Sequence, residues 1–394
     1  MPLVPWTASP AAAQQAASGA KFAFGGNAAQ VPATFIGQRV FLPVQVNGGQ
    51  PSLFELDTTA RFSSIDPGRA GDLALTTETS TTTADAATGS IVRNPVLGLE
   101  GVEVSLPFLQ VRSSENFAAI VGHEYEGTLG ADFFSRMIVE VDYGQQSVRL
   151  YDPGTFHYDG EGTAVPFTLN GITPVIRAKF GEMSGKSGEA EFLVNTALDA
   201  PVVFANGYAE AHKLYSSHMN SVPAAYSELD GGEMVALAHL EGFQIGHFDA
   251  FSALAVFSRS DQTSAGDAKI AGMIGGGMLR RYDVIFDYAH QQLIFQPGSQ
   301  FTSDDREDMS GMVLIAKGPG LKQFVVEQVI PGTPAAKANI QKGDIVAGVD
   351  DEAAADMTLE SVRKLFRNPV GQYIVLMERN GKTFEVKLQM HRRI

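Results

Sequence analysis

The chain has 394 residues, enough for two or three domains that each have their own core. Its 44% hydrophobic content is ordinary for a globular protein, whereas 29 basic against 44 acidic residues give a net charge of −15, which argues against nucleic acid as a partner. The sequence contains no cysteine, which excludes disulfides, thiolate zinc sites and cysteine nucleophiles, and no apolar run reaches the roughly 18 residues of a membrane span.

The first 33 residues are rich in Ala, Gln and Gly and have no periodicity, which predicts a flexible leader over 1–33. Ala11-Ala12-Ala13 matches the small-residue cleavage pattern of a secretory signal, although the basic start of such a signal is missing. A signal remnant would place the protein in the bacterial periplasm or outside the cell. A plain disordered leader would leave it in the cytoplasm.

The central stretch of the sequence is an apolar strand that leads into a Thr-containing turn at Asp57-Thr58. A second copy follows at Asn195-Thr196, with an amide in place of the acid. Each copy is followed later by a hydrophobic residue and a glycine, Leu129-Gly130 and Ile274-Gly275. An isolated Asp-Thr pair is typical of an Asx turn that closes a strand. Two copies with matched followers indicate a repeated unit.

Further landmarks recur in the same order. Leu99-Glu100-Gly101 recurs as Leu240-Glu241-Gly242, and Asp142-Tyr143 recurs as Asp287-Tyr288. A repeat of this length predicts a mostly β protein with two lobes, 34–155 and 160–298, fused as an internal pseudo-dimer that forms its cleft as a monomer. Asp142 and Asp287 are interpreted as hairpin-turn residues rather than catalytic acids, because each belongs to its own copy of the repeat.

The two loops resemble those of the retropepsin-like and pepsin-like aspartic peptidases, in which two Asp-Thr-Gly loops meet at the floor of a cleft. The resemblance implies a bilobal pair of β barrels whose two carboxylates share a proton and activate a water molecule. Asp57 matches one catalytic position. Asn195 occupies the second dyad position and is not an acid. Thr58 and Thr196 match the threonines that lock the two loops together.

Two more positions depart from the family pattern, since Thr59 and Ala197 carry side chains where the family has glycine for close backbone approach. The family also closes a hairpin flap over its substrate, and the polar segment around 85–89 is the candidate flap here. The alternative for that segment is an ordinary exposed loop.

The polar, acidic residues 299–308 are predicted to form a linker. Beyond them, strands, a Pro-Gly-Thr-Pro-Ala-Ala turn at 331–336 and an amphipathic helix at 359–366 resemble a small α+β PDZ domain over 309–391. The resemblance implies that a peptide C-terminus adds as a strand beside the carboxylate-binding loop, which is formed by Gly311, Met312, Val313 and Leu314.

Three functions are compatible with this pattern. The first is an aspartic-peptidase-like protein that binds extended peptides in an interlobe cleft but cleaves them weakly or not at all, because Asn195 is neutral. The second is an active aspartic endopeptidase that uses the PDZ domain for substrate selection. The third is a PDZ scaffold that recruits protein C-termini. No cofactor and no metal site are predicted, and peptides are the expected partners.

Overall fold

The computed structural model describes residues 19–80, 89–181, 187–214, 220–229, 232, 234–259 and 267–394. Within the described part of the first lobe there are fourteen strands and three α-helices. Its strands β1–β14 are Ala20–Phe22, Ala28–Val31, Thr34–Ile36, Arg39–Val46, Ser52–Leu56, Ser64–Ile65, Glu78–Ser80, Gly89–Arg93, Val96–Leu99, Val102–Ser105, Phe108–Val111, Gly127–Leu129, Ile138–Asp142 and Ser147–Tyr151. Its helices α1–α3 are Pro67–Asp72, Glu115–Val121 and Ala131–Phe134.

The second lobe contains thirteen strands and two helices among the described residues. Its strands β15–β27 are Thr163–Pro166, Thr168–Asn170, Thr173–Gly181, Ser187–Asn195, Val202–Phe204, Ser221–Ala225, Met234–His239, Gly242–Ile245, Phe248–Phe251, Leu254–Phe257, Ile270–Gly275, Tyr282–Asp287 and Gln292–Pro297. Its helices are Asn206–Ala211 (α4) and Gly276–Leu279 (α5).

The two lobes have the same strand order. The main path of the first sheet is β10-β9-β4-β5-β12-β6-β11-β8-β7, and that of the second is β23-β22-β17-β18-β25-β19-β24-β21-β20. The strand before each Thr-containing loop pairs in parallel with a later strand, β5 with β12 and β18 with β25. The strands of the two main paths therefore correspond one to one, as the repeated sequence motifs predicted.

A third sheet joins the lobes. It has six strands in the order β15-β27-β26-β13-β14-β2, and β13 pairs with β26 in the middle, with Val139 opposite Phe286 and Val141 opposite Val284. These side chains belong to one apolar core that extends through both lobes. Asp142 and Asp287 end β13 and β26, and each carboxylate accepts a hydrogen bond from the backbone N–H three residues later. They are hairpin-turn residues, as predicted.

The structure corrects the predicted leader. Residues 1–18 lie outside the described part of the chain, but Ala20–Phe22 and Ala28–Val31, which belong to the predicted leader over 1–33, form strands β1 and β2. β1 pairs with β10, and β2 is the edge strand of the sheet between the lobes. Sequence patterning missed them because short Ala- and Gln-containing edge strands bury few side chains and take their stability from backbone pairing.

The C-terminal domain is a separate sheet with its own apolar core. Its strands β28–β33 are Met312–Lys317, Gln323–Val329, Ile345–Val349, Glu352–Ala353, Gln372–Arg379 and Lys382–Gln389. Its helices are Pro334–Lys337 (α6) and Leu359–Phe366 (α7). Helix α7 begins at a capping box in which Thr358 and Ser361 each satisfy the other's backbone N–H. Its apolar face, at Leu359, Val362 and Phe366, packs into the domain core.

The predicted linker 299–308 is packed rather than free. Asp305 is 4% exposed and pairs with Arg280 and Arg281, with oxygen-to-nitrogen distances of 2.8 Å in both cases. Glu307 is also buried and accepts a hydrogen bond from the backbone N–H of Arg393 near the end of the chain. The segment therefore holds the C-terminal domain against the second lobe. No helix in the described residues is long and apolar enough to cross a membrane.

Candidate active site

The two Thr-containing loops meet between the lobes. The backbone N–H of Asp57 donates to the Leu129 carbonyl at 3.0 Å, which continues the parallel pairing of β5 with β12. In the second lobe, Asn195 lies opposite Gly275 at the end of β18 and β25. Each loop thus leaves its sheet at the same topological point, where two parallel strands end side by side. Equivalent positions in the two lobes face each other for this reason.

Thr58 and Thr196 bind the loops together. The Thr58 hydroxyl donates to the Val194 carbonyl at 2.6 Å, and the Thr196 hydroxyl donates to the Leu56 carbonyl at 2.7 Å. Each hydroxyl also accepts from the backbone N–H of the other threonine, at 3.1 and 3.2 Å. Both residues are almost fully buried. The structure therefore brings together the two threonines that the sequence singled out.

Replacing Thr196 by Val is expected to lower the free energy of unfolding by about 2–4 kcal/mol, because it leaves the buried Thr58 N–H and Leu56 carbonyl without partners. Urea unfolding measures the loss. Thr196→Ser keeps the hydroxyl and should recover most of it. Thr168→Val, at an exposed position of the second lobe, should change stability little. A loss in Thr196→Ser with none in Thr196→Val would show that the methyl group, not the hydrogen bonds, stabilises the junction.

The two dyad positions differ in their chemistry. Oδ1 of Asp57 accepts from the backbone N–H of Thr59 at 2.8 Å and from the Thr59 hydroxyl at 2.6 Å. Oδ1 of Asn195 accepts from the Ala197 N–H at 2.9 Å, and its amide Nδ2 lies 3.7 Å from the Met273 sulfur, to which it donates. No hydrogen bond joins the Asp57 and Asn195 side chains in the described structure. Each side chain is oriented by its own loop, and only one of them can ionise.

Asp57 and Asn195 line a cavity of about 490 Å³ between the lobes. Thr59, Ala197 and Met273 lie beside them, and Tyr125 and Phe117 belong to the wall contributed by the first lobe. The predicted flap, around 85–89, lies outside the described residues except for Gly89, with which β8 begins. In the described parts of the chain, no group of three His, Cys, Asp or Glu side chains is arranged to hold a metal ion.

A buried charge cluster, which the sequence analysis missed, lies against the cavity. Arg39 is 2% exposed and is surrounded by three carboxylates: Glu55 at 2.7 Å, Glu228 at 3.0 Å and Asp199 at 3.8 Å. We call these four residues the Arg39 cluster. The signal for it was Glu55 itself, a charged residue inside an apolar strand two positions before Asp57. Its partners come from distant strands and loops and carry no local pattern.

The Arg39 cluster has more acids than one guanidinium can neutralise. Burial, together with the charge of Asp57, raises the pKa of Glu55 to about 7 despite its ion pair with Arg39. Burial and the neighbouring Asp199 also raise the pKa of Glu228. Burial alone would lower the pKa of Arg39, but the surrounding carboxylates outweigh it and raise that pKa well above its usual value. The cluster thus holds a charged arginine and protonatable acids beside Asp57.

The residues of the predicted PDZ loop lead into β28. Gly311 has a φ of +77°, and a Cβ at this position would overlap Thr333, so the position requires glycine. Met312, Val313 and Leu314 follow as the first residues of β28 and are 2–8% exposed. β28 pairs with β29 on one side, and α7 lies across a groove from its other edge.

Comparison with known protein families identifies the C-terminal domain. Residues 301–378 match the family model described as PDZ domain, so the C-terminal domain is a PDZ domain. Among solved structures, the crystal structure of aspartic proteinase from Irpex lacteus is similar at 14% identity, with a TM-score of 0.43, over 70% of this chain and 98% of that chain. The body itself consists of two β lobes with the same strand order and with interlocked loops. No curated protein matches the chain.

Proposed function

We propose that the interlobe cleft binds extended peptides and hydrolyses them slowly or not at all. The observation that supports this most strongly is the state of the dyad. The Asn195 amide is held by Ala197 and Met273 and has no proton to give to a carbonyl oxygen near neutral pH. Asp57 can still act as a base toward water, but acid assistance from across the dyad is missing. The retained threonine lock and the open cavity keep the architecture of a peptide-binding cleft.

An active endopeptidase is the second candidate, and one observation favours it. Glu55 lines the same cavity as Asp57 and has a pKa near 7, so it carries a proton at acidic pH. Its Oε1 atom is 2.7 Å from Arg39, however, and it lies on β5, the strand that leads into Asp57, rather than on the opposite loop. Cleavage that depended on both Asp57 and Glu55 would identify Glu55 as the second acid.

The proposal is tested by offering a library of extended peptides, blocked at both ends, to the full-length protein. Blocked ends cannot use the carboxylate-binding loop of the PDZ domain, so retained peptides report on the cleft. We expect binding, with little cleavage between pH 3 and 7. Robust cleavage that disappears in Asp57→Ala would overturn the proposal, and Glu55→Gln would then decide between the two acids. Absence of both binding and cleavage would leave the PDZ domain as the functional module, which is the scaffold alternative.

A further inference from the structure

The groove between β28 and α7 of the PDZ domain is occupied in part by the end of helix α2 of the first lobe. Gly122, which follows α2, lies so close to Leu359 of α7 that a Cβ at Gly122 would overlap the Cβ of that leucine. Arg363 of α7 reaches across the groove and donates from Nη2 to two carbonyls, Ile120 at the end of α2 and Leu314 on β28, both at 2.9 Å. The end of α2 therefore contacts both walls of the groove.

Apolar packing supports this contact. Leu321, in the turn after β28, packs against a buried cluster of the first lobe that contains Ala118 and Val121 of α2, together with Phe41 and Tyr125. The rings of Phe41 and Tyr125 lie 5.2 Å apart and extend this cluster towards the interlobe cavity. The PDZ domain is thus docked on α2 by both side-chain packing and hydrogen bonds.

The contact covers the strand that a peptide would need. Among the described strands, β29 is the one partner of β28, so β28 is an edge strand, and strand addition requires access to its other edge. Val313 and Ile315 are not members of the PDZ core cluster, yet each is only 8% exposed. Because Arg363 occupies the Leu314 carbonyl and α2 packs beside β28, the strand edge is closed to an incoming peptide near Leu314.

Helix α2 also belongs to the wall of the interlobe cleft. Phe117 lies on α2, lines the cavity above Asp57 and is 46% exposed. Ser113 and Ser114 precede the helix and line the same cavity, and Tyr125 follows it. One short helix therefore has residues in both places, at the cavity and in the groove of the PDZ domain.

We propose that, in the ligand-free chain, α2 blocks the part of the PDZ groove beside Leu314 and couples that groove to the cleft. A protein C-terminus that enters the groove displaces α2 from Leu359 and Arg363, and this displacement moves the cleft wall at Phe117. The coupling to the cleft rests on the proposed peptide-binding function of that cleft, whereas the closure of the groove does not. Because coupling between two binding sites is reciprocal, a ligand in the cleft changes the affinity of the groove by the same factor.

The test compares two glycine variants of the full-length protein. Gly122→Ala adds a methyl group that collides with Leu359, at a residue with φ of +78°. Gly48→Ala adds the same methyl group at a φ of +74°, where nothing lies within 4 Å. Both variants carry the same backbone strain, but only the first forces α2 away from α7. Arg363→Met and Lys382→Met form a second pair, since both remove one positive charge from the PDZ domain, Lys382 is exposed on β33, and Arg363 bonds to the Ile120 carbonyl.

The probe is a heptapeptide library with free C-termini, and the same library with C-terminal amides serves as its control. We expect Gly122→Ala and Arg363→Met to bind free-acid peptides about tenfold more tightly than the unmodified chain, a typical coupling factor. Gly48→Ala and Lys382→Met should match the unmodified chain. Equal affinities within both pairs, or no free-acid binding by any variant, would overturn closure of the groove.

Hydrogen exchange of the α2 backbone reports on the coupling itself. We expect the tightest free-acid peptide to accelerate exchange over residues 115–121 in the unmodified chain, because the helix loses its contacts with α7. Unchanged exchange in α2 with the peptide bound would overturn the displacement. Binding of blocked peptides, measured separately, decides whether the cleft functions as proposed, so each of the two proposals can fail without the other.

Discussion

Replacing Asn195 by Asp is expected to raise peptide hydrolysis by about 10²- to 10⁴-fold, the usual contribution of general acid–base catalysis. The change restores a second carboxyl group at the end of β18, across the locked loops from Asp57. Two carboxylates in one cavity cannot both ionise easily, so one retains its proton and serves as the acid. Activity should therefore peak at acidic pH and fall as that shared proton is lost.

The Thr59 hydroxyl competes for the Asp57 carboxylate, since it donates to Oδ1 at 2.6 Å. Asn195→Asp combined with Thr59→Gly should for this reason cleave faster than the single variant. Cleavage of a mixed peptide library from pH 3 to 7 measures the effect. Asn195→Ala, which changes the same position without adding an acid, is the matched control. A silent double variant would show that the cleft no longer positions a peptide bond above Asp57.

Replacing Arg39 by Met should destabilise the protein by about 3–5 kcal/mol at neutral pH, because it leaves Glu55, Glu228 and Asp199 without their shared cation. The loss should shrink as the pH falls. Burial raises the pKa of Glu55 and Glu228 in the folded protein, so the folded state takes up protons before the unfolded state does. Protonation on the acidic side of about pH 7 removes the unpaired charges and returns stability to the variant.

Urea unfolding at pH 8 and pH 5 distinguishes this explanation from a simple packing defect. A packing defect would cost the same at both pH values, whereas the charge explanation requires a smaller loss at pH 5. Arg149→Met is the matched control. Arg149 forms an ion pair with Glu140 at 3.0 Å but its side chain is 41% exposed, so the loss there should be below about 1 kcal/mol at either pH.

The sequence predicted the two lobes and the meeting of their loops because those features repeat. Asp57-Thr58 and Asn195-Thr196 have the same local surroundings, and each copy constrains the interpretation of the other. The PDZ domain was predictable for a related reason, since its turn at 331–336 and helix at 359–366 follow each other within one short stretch. The same strand-and-turn pattern occurs twice in the sequence, and this was enough to predict that the two loops meet at the junction between the lobes.

The Arg39 cluster and the docking of α2 were not predictable in this way. Arg39 and Glu228 are 189 residues apart, and Arg363 and Ile120 are 243 apart. Such contacts depend on how folded domains pack against each other, and neither residue of each pair belongs to a periodic pattern or a motif. The same applies to β1 and β2, whose Ala- and Gln-containing sequences become strands only because β10 and β14 offer edges for pairing.

The sheet between the lobes also has a consequence for synthesis on the ribosome. Strand β13 belongs to the first lobe, but its partner β26 is near the end of the second. A nascent first lobe can fold its own loops and still carry an open row of backbone donors and acceptors along β13. Open strand edges of this kind invite pairing with other chains. We expect the partly synthesised chain to aggregate more readily than the complete chain, until β26 has been translated and pairs with β13.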